Sequence, residues 1–98
     1  LYGHILRIVE DGDSAEATTF SYEVFLAGGP QSGLACPDNL AFDRLGNLWV
    51  VCDISGARLG KGAYKPFGNN GVYVVPTAGP GAGDAFQFAS GPVEAELT

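Results

Sequence analysis

Apolar and polar residues alternate with a period of two along much of the chain, most clearly between Pro37 and Asp53. Leu40 and Phe42 alternate with Asn39, Ala41 and Asp43; Leu48, Val50 and Cys52 alternate with Trp49, Val51 and Asp53. That period predicts two short strands, because successive side chains on a strand point to opposite faces. Asp43-Arg44-Leu45-Gly46 between them suits a type I turn closed by a glycine in the left-handed region. With Asp43 paired to Asn47, Asp38 falls opposite Cys52 and within one residue of Asp53. Directly opposed positions on paired strands lie about 4.5–5.5 Å apart, so this register brings two carboxylates to one hairpin mouth. Like charges there repel unless something positive sits between them, and a bound cation is the economical explanation.

The same alternation marks strands on either side of this hairpin. Residues 3–10, with the run His4-Ile5-Leu6-Arg7-Ile8-Val9, form the first, and residues 18–27, rich in β-branched and aromatic side chains, the second. The hairpin supplies strands three and four at 39–43 and 47–53. Residues 54–70 carry glycines and no sustained period; strands five and six are then expected at 71–76 and 84–89. No segment shows a helical stripe, and Ser14-Ala15-Glu16-Ala17 suits one turn at most. Strands one and two repeat the pattern of strands five and six: an apolar run, a glycine-containing turn, then an aromatic-rich strand ending in Ala27-Gly28 or Ala89-Ser90-Gly91. A repeat of about 65 residues is long for a propeller blade, and the 54–70 insertion accounts for the excess. The expected fold is therefore all-β: a fragment of an antiparallel β-propeller, about one and a half four-stranded blades. Residues 1–33 would be the outer strands of one blade and residues 34–98 one complete blade. Such a fragment leaves blade faces bare, so instability or self-association is expected when it stands alone.

Composition narrows the partners. Eleven acids against five bases give a net charge of −6, which argues against a nucleic-acid or anionic-membrane surface. Fifteen glycines and six prolines without a collagen period fit a turn-rich β protein. With no initiator methionine, signal peptide or hydrophobic span, the 98 residues read as a piece of a longer protein. Cys36 and Cys52 sit near the hairpin mouth as diagonal neighbours, lack the companion pair of a zinc site, and are expected to be free thiols. His4, the only histidine, lies on a strand among apolar residues and reads as structural. Gly60-Lys61-Gly62 lacks the spacing and the strand–loop–helix setting of a Walker phosphate loop.

Four blocks in order carry a resemblance. Gly3-His4-Ile5-Leu6-Arg7, then Ala17-Thr18-Thr19-Phe20-Ser21-Tyr22-Glu23-Val24-Phe25, then Cys36-Pro37-Asp38-Asn39-Leu40 with Gly46-Asn47-Leu48-Trp49, and finally Gly91-Pro92-Val93-Glu94-Ala95-Glu96-Leu97-Thr98 resemble the PhoX-type alkaline phosphatases. The resemblance spans nearly the whole chain but only part of a PhoX enzyme. It implies a secreted or periplasmic phosphomonoesterase with calcium and iron at the centre of a propeller, acting on a phosphate monoester. On that analogy Asp38 and Glu96 are the leading metal ligands. The family segment with the iron-binding cysteine has no counterpart here, so neither Cys36 nor Cys52 takes that role. Glu94 stands where the family more usually has a small residue.

The residue types agree with such chemistry. Calcium takes carboxylate and carbonyl oxygens, which Asp38, Asn39, Asp53 and Glu96 offer at strand ends and loops. Arg58, Lys61 and Lys65, three of the five bases, lie in the glycine-rich 54–70 segment, where they are candidates for binding a phosphate ester. Each also has a plainer reading: Asp38 and Asn39 as turn residues, Asp53 as a loop cap, Glu96 and the basic loop as solvated charge. Trp49 and Phe42 read as packing between blades. Two other functions share the architecture. Pro37-Asp38-Asn39-Leu40-Ala41-Phe42-Asp43 with Gly46-Asn47-Leu48-Trp49-Val50 is also a blade theme of gluconolactonase-type lactonases, and a non-catalytic binding module is the third reading.

Overall fold

The computed structural model describes residues 1–98. Each expected strand forms: β1 (His4–Glu10), β2 (Phe20–Ala27), β3 (Pro37–Phe42), β4 (Leu48–Cys52), β5 (Gly71–Val75) and β6 (Phe86–Ser90). β1 and β2 make an antiparallel two-stranded sheet, and β3-β4-β5-β6 make a four-stranded antiparallel meander in sequence order. Short 3-10 turns occur at Asp11–Asp13 and Gly62–Phe67. The second was not expected. It falls in the 54–70 segment, which is held down by buried Leu59 and Tyr64 rather than hanging free.

The central strands show why the alternation is so regular. In β4 and β5 every second residue is buried: Leu48, Val50 and Cys52, then Gly71, Tyr73 and Val75. The side chains of Leu48, Val50, Cys52, Tyr73 and Val75 meet Ile5 and Leu26 of the two-stranded sheet and Leu34 of the connection, forming one core. Burying a side chain of this size contributes about 1.5–3 kcal/mol. A smaller cluster of Ala35, Ile54, Leu59 and Tyr64 sits under the 54–70 segment, with Tyr2, Cys36 and Phe67 packed against it. On the other face of the sheet, Trp49 meets Phe88 edge to face at a centroid distance of 4.9 Å.

The hairpin turn forms as the sequence predicts. The Asp43 N–H donates to the Asn47 carbonyl at 3.0 Å, Gly46 adopts φ 83°, and Phe42 faces Leu48. Beyond Leu40 the expected register fails by one residue: Pro37, not Asp38, faces Cys52. The chain enters β3 through Cys36, whose φ is 54° and whose carbonyl accepts the Asp53 N–H at 2.9 Å. That contact pins the outer register while the turn pins the inner one. The spare residue is absorbed as a β-bulge, with Asp38 and Asn39 together opposite Val51.

The outer faces remain apolar. Ile8, Phe20 and Tyr22 on the two-stranded sheet, Phe42 on β3 and Phe88 on β6 are all exposed, Phe42 by 72%. An open cleft of about 820 Å³ runs between the two sheets, lined by residues including Leu6, Ile8, Phe25, Leu40 and Phe42.

Candidate functional site

The meander has two unlike ends. At one, the Asp43–Asn47 turn and the turn after β5 meet, where the Thr77 hydroxyl donates to the Gly46 carbonyl at 2.6 Å. The start of β3, the end of β4, the start of β5 and the end of β6 share the other end, as the pairs Pro37–Cys52 and Gly71–Ser90 show. Asp38, Asn39, Asp53, the 54–70 segment and the segment carrying Glu96 all belong to this second end.

Each candidate donor is placed there by a different local cause. Asp38 and Asn39 occupy the bulge of β3 and are exposed. Asp53 follows β4 directly, with its N–H on the Cys36 carbonyl; its Oδ1 is buried and has no hydrogen-bond partner. A buried carboxylate oxygen left without a donor is costly, and a cation would satisfy it. Glu96 is exposed, and its Oε2 accepts the backbone N–H of Gly56. Gly56 permits this approach because it has no side chain: a Cβ there would lie 3.0 Å from Glu96 Oε2.

Asn70 ties these segments together, and sequence reasoning did not single it out. It is fully buried. Its Oδ1 accepts the Ile54 N–H at 2.6 Å, while its Nδ2 donates to the carbonyls of Ile54 at 2.8 Å and Ala95 at 3.0 Å. Its own carbonyl accepts the Gly91 N–H at 2.7 Å. An Asn just before a glycine looks like an ordinary turn residue, so nothing in the sequence marked it. Two non-glycine residues at this end hold left-handed backbones, Cys36 and Glu94 (φ 65°). Such conformations cost energy and tend to cluster where a site requires them.

The donors share one end of the sheet without closing a site. No three His, Cys, Asp or Glu side chains converge closely enough to hold an ion by themselves. The hard oxygens of Asp38, Asp53 and Glu96, with the unpartnered Asp53 Oδ1, fit a contribution to a calcium site that is completed by other donors. Neither thiol stands beside these oxygens as part of a ready-made ligand group. Burial pushes the Cys52 thiol up to about 11, as for a core thiol. Both cysteines are free, Cys52 in the main core and Cys36 against the smaller cluster.

Arg58, Lys61 and Lys65 are exposed on the 54–70 segment. The one salt bridge of the chain lies elsewhere, between Arg7 and Glu23 at 3.2 Å. Consecutive turns shape the segment, with the Arg58 and Leu59 N–H groups on the Ser55 carbonyl and the Tyr64 N–H on the Lys61 carbonyl. His4 is exposed on β1, opposite Ala27.

Comparison with known proteins identifies this architecture. The family model of alkaline phosphatase PhoX matches residues 1–98. A solved structure of Pseudomonas fluorescens PhoX, in complex with vanadate, a transition state analogue, superposes with a TM-score of 0.76 at 30% sequence identity. The match covers 93% of this chain and 18% of that one, so the chain spans under a fifth of its solved relative. No curated protein matches the chain. Its antiparallel sheets are those of a β-propeller fragment. The chain belongs to the PhoX family of alkaline phosphatases.

Proposed function

We propose that this chain is part of a metal-dependent phosphatase that hydrolyses phosphate monoesters, and that it contributes oxygen ligands for calcium from one end of its four-stranded sheet. The observation that carries the reading is the PhoX family match over every residue. In this reading Asp38 and Glu96 are the principal ligands and Asn39 and Asp53 the supporting ones, with Asp53 Oδ1 already stripped of protein partners. Bound calcium would polarise a phosphoryl oxygen and offset its charge. The chain's own residues hold the carboxylates in place, and Arg58, Lys61 and Lys65 draw the phosphate ester toward them from the neighbouring segment. Iron, where the parent uses it, takes its ligands from outside these residues. No nucleophile is assigned within this chain.

The two sheets correspond in this proposal to two blades: residues 1–33 as outer strands of one and residues 34–98 as the next. The 98 residues alone are then inactive, because one and a half blades enclose no central site. The parent works in the periplasm or outside the cell. The test is hydrolysis of p-nitrophenyl phosphate by the longer protein, with and without a calcium chelator, beside an Asp38→Ala variant. Activity lost to the chelator and to the substitution supports the reading. A folded, metal-replete protein without phosphatase activity overturns it.

A further inference from the structure

We propose that Asn70 is a positioning residue for the oxygen ligands: its amide locks the Asp53–Ile54 segment to the Ala95–Glu96 segment, so that both carboxylates are presented in a fixed relation. This rests on the calcium reading above.

The bonding pattern supports more than a filled space. The Asn70 side chain engages both the N–H and the carbonyl of Ile54, the residue after Asp53, at 2.6 and 2.8 Å. Its third bond, at 3.0 Å, takes the carbonyl of Ala95, the residue before Glu96. The segment after β6 pairs with no strand; these bonds and the Asn70–Gly91 and Asn69–Gly91 contacts, at 2.7 and 3.2 Å, tie it to the start of β5. Glu96 gains a second tether through Gly56, two residues beyond Ile54. Both tethers of Glu96 therefore run to the loop that begins with Asp53. Because Asn70 is fully buried, breaking any of these bonds would leave a buried polar group without a partner, which favours keeping all three.

The test uses the longer protein, stripped of metal and titrated with calcium alone. Asn70→Ser removes the amide, and Glu96→Gln and Asp53→Asn remove ligand charge. Loss of a residue that orients a metal ligand typically weakens metal binding about 10–100-fold, and that range is expected for Asn70→Ser. Combined with Glu96→Gln, it should weaken calcium binding less than the two separate effects multiplied, while lowering the melting temperature by the same amount in both backgrounds. Calcium affinity within twofold of the unmodified protein in Asn70→Ser, with Glu96→Gln clearly weakened, overturns the positioning role and leaves the calcium reading intact. Affinity unchanged in both Glu96→Gln and Asp53→Asn overturns the calcium reading, and the positioning role with it. Should Asn70→Ser fail to fold, hydrogen exchange in the unmodified protein decides. Calcium should slow exchange of the Ile54 amide, which donates to Asn70 Oδ1; an unchanged rate overturns the proposal.

Discussion

The Trp49 indole N–H donates to the Asp43 carboxylate at 3.0 Å, reaching back across the hairpin turn that joins β3 to β4. The same carboxylate accepts the N–H groups of Leu45 and Asn47, each at 2.9 Å, and the Asn47 side-chain amide at 3.1 Å. The Trp49 bond is the largest cause holding the Asp43 carboxyl below its ordinary value of 3.8, with the Asn47 and Leu45 donors adding to it. A carboxyl depressed in the folded state stabilises the fold above its unfolded value, and that contribution is lost as pH falls through the folded value. Stability should therefore fall below pH 3.8 partly through this turn. Asp43→Asn should remove that part of the acid sensitivity, as read by thermal unfolding against pH.

The core between the sheets should be the most sensitive part of the fold. Leu34 is fully buried in the core it shares with Ile5, Leu26 and the inward side chains of β4 and β5. Leu34→Ala is expected to cost about 2–5 kcal/mol, from lost burial and the cavity it leaves. Chemical denaturation would read this as a lower midpoint.

How far such a fold is legible depends on which forces write it into the sequence. The strands were, because β4 and β5 bury every second side chain and the alternation follows directly. The bulge at Asp38–Asn39 was not. Leu40 and Phe42 alternate in the same way with or without it, and only the Cys36–Asp53 contact decides the outer register. The fold of the 54–70 segment was hidden because its anchors, Leu59, Tyr64 and Phe67, follow neither a strand nor a helix period. At the candidate site, the meander alone puts Asp38 and Asp53 at the same end of the sheet, whereas Asn70 acts through backbone groups that carry no sequence signature.

The exposed apolar faces predict self-association of the isolated chain. Tyr22 on the two-stranded sheet is 70% exposed and Phe88 on β6 68%. Apolar patches of this kind are normally covered in a stable protein. Sedimentation velocity of the 98-residue chain should show species larger than the monomer, and Tyr22→Lys with Phe88→Lys should reduce them. A monodisperse monomer at all concentrations would be contrary to this expectation.

Gly56→Ala tests the Glu96 tether at an accessible point. The added Cβ would lie 3.0 Å from Glu96 Oε2, so the carboxylate must give by a few tenths of an ångström. In the parent protein, calcium binding should weaken by about the range seen when a ligand-orienting contact is lost, roughly tenfold, with little change in melting temperature.

The basic segment makes a kinetic prediction. Replacing Arg58, Lys61 and Lys65 together with alanine in the parent should raise KM for p-nitrophenyl phosphate and leave kcat nearly unchanged, since exposed cations attract substrate before any bond is broken. Added salt should raise KM of the unmodified protein in the same direction by screening those charges. Equal KM values would show that these residues are only solvated.

The most direct measurement is anomalous scattering from crystals of the longer protein grown with calcium. An ion is expected with oxygens of Asp38, Asp53 or Glu96 at roughly 2.3–2.6 Å, at the end of the sheet that Asn70 ties together. Calcium ions held only by residues outside these 98, with all three carboxylates turned to solvent, would contradict it.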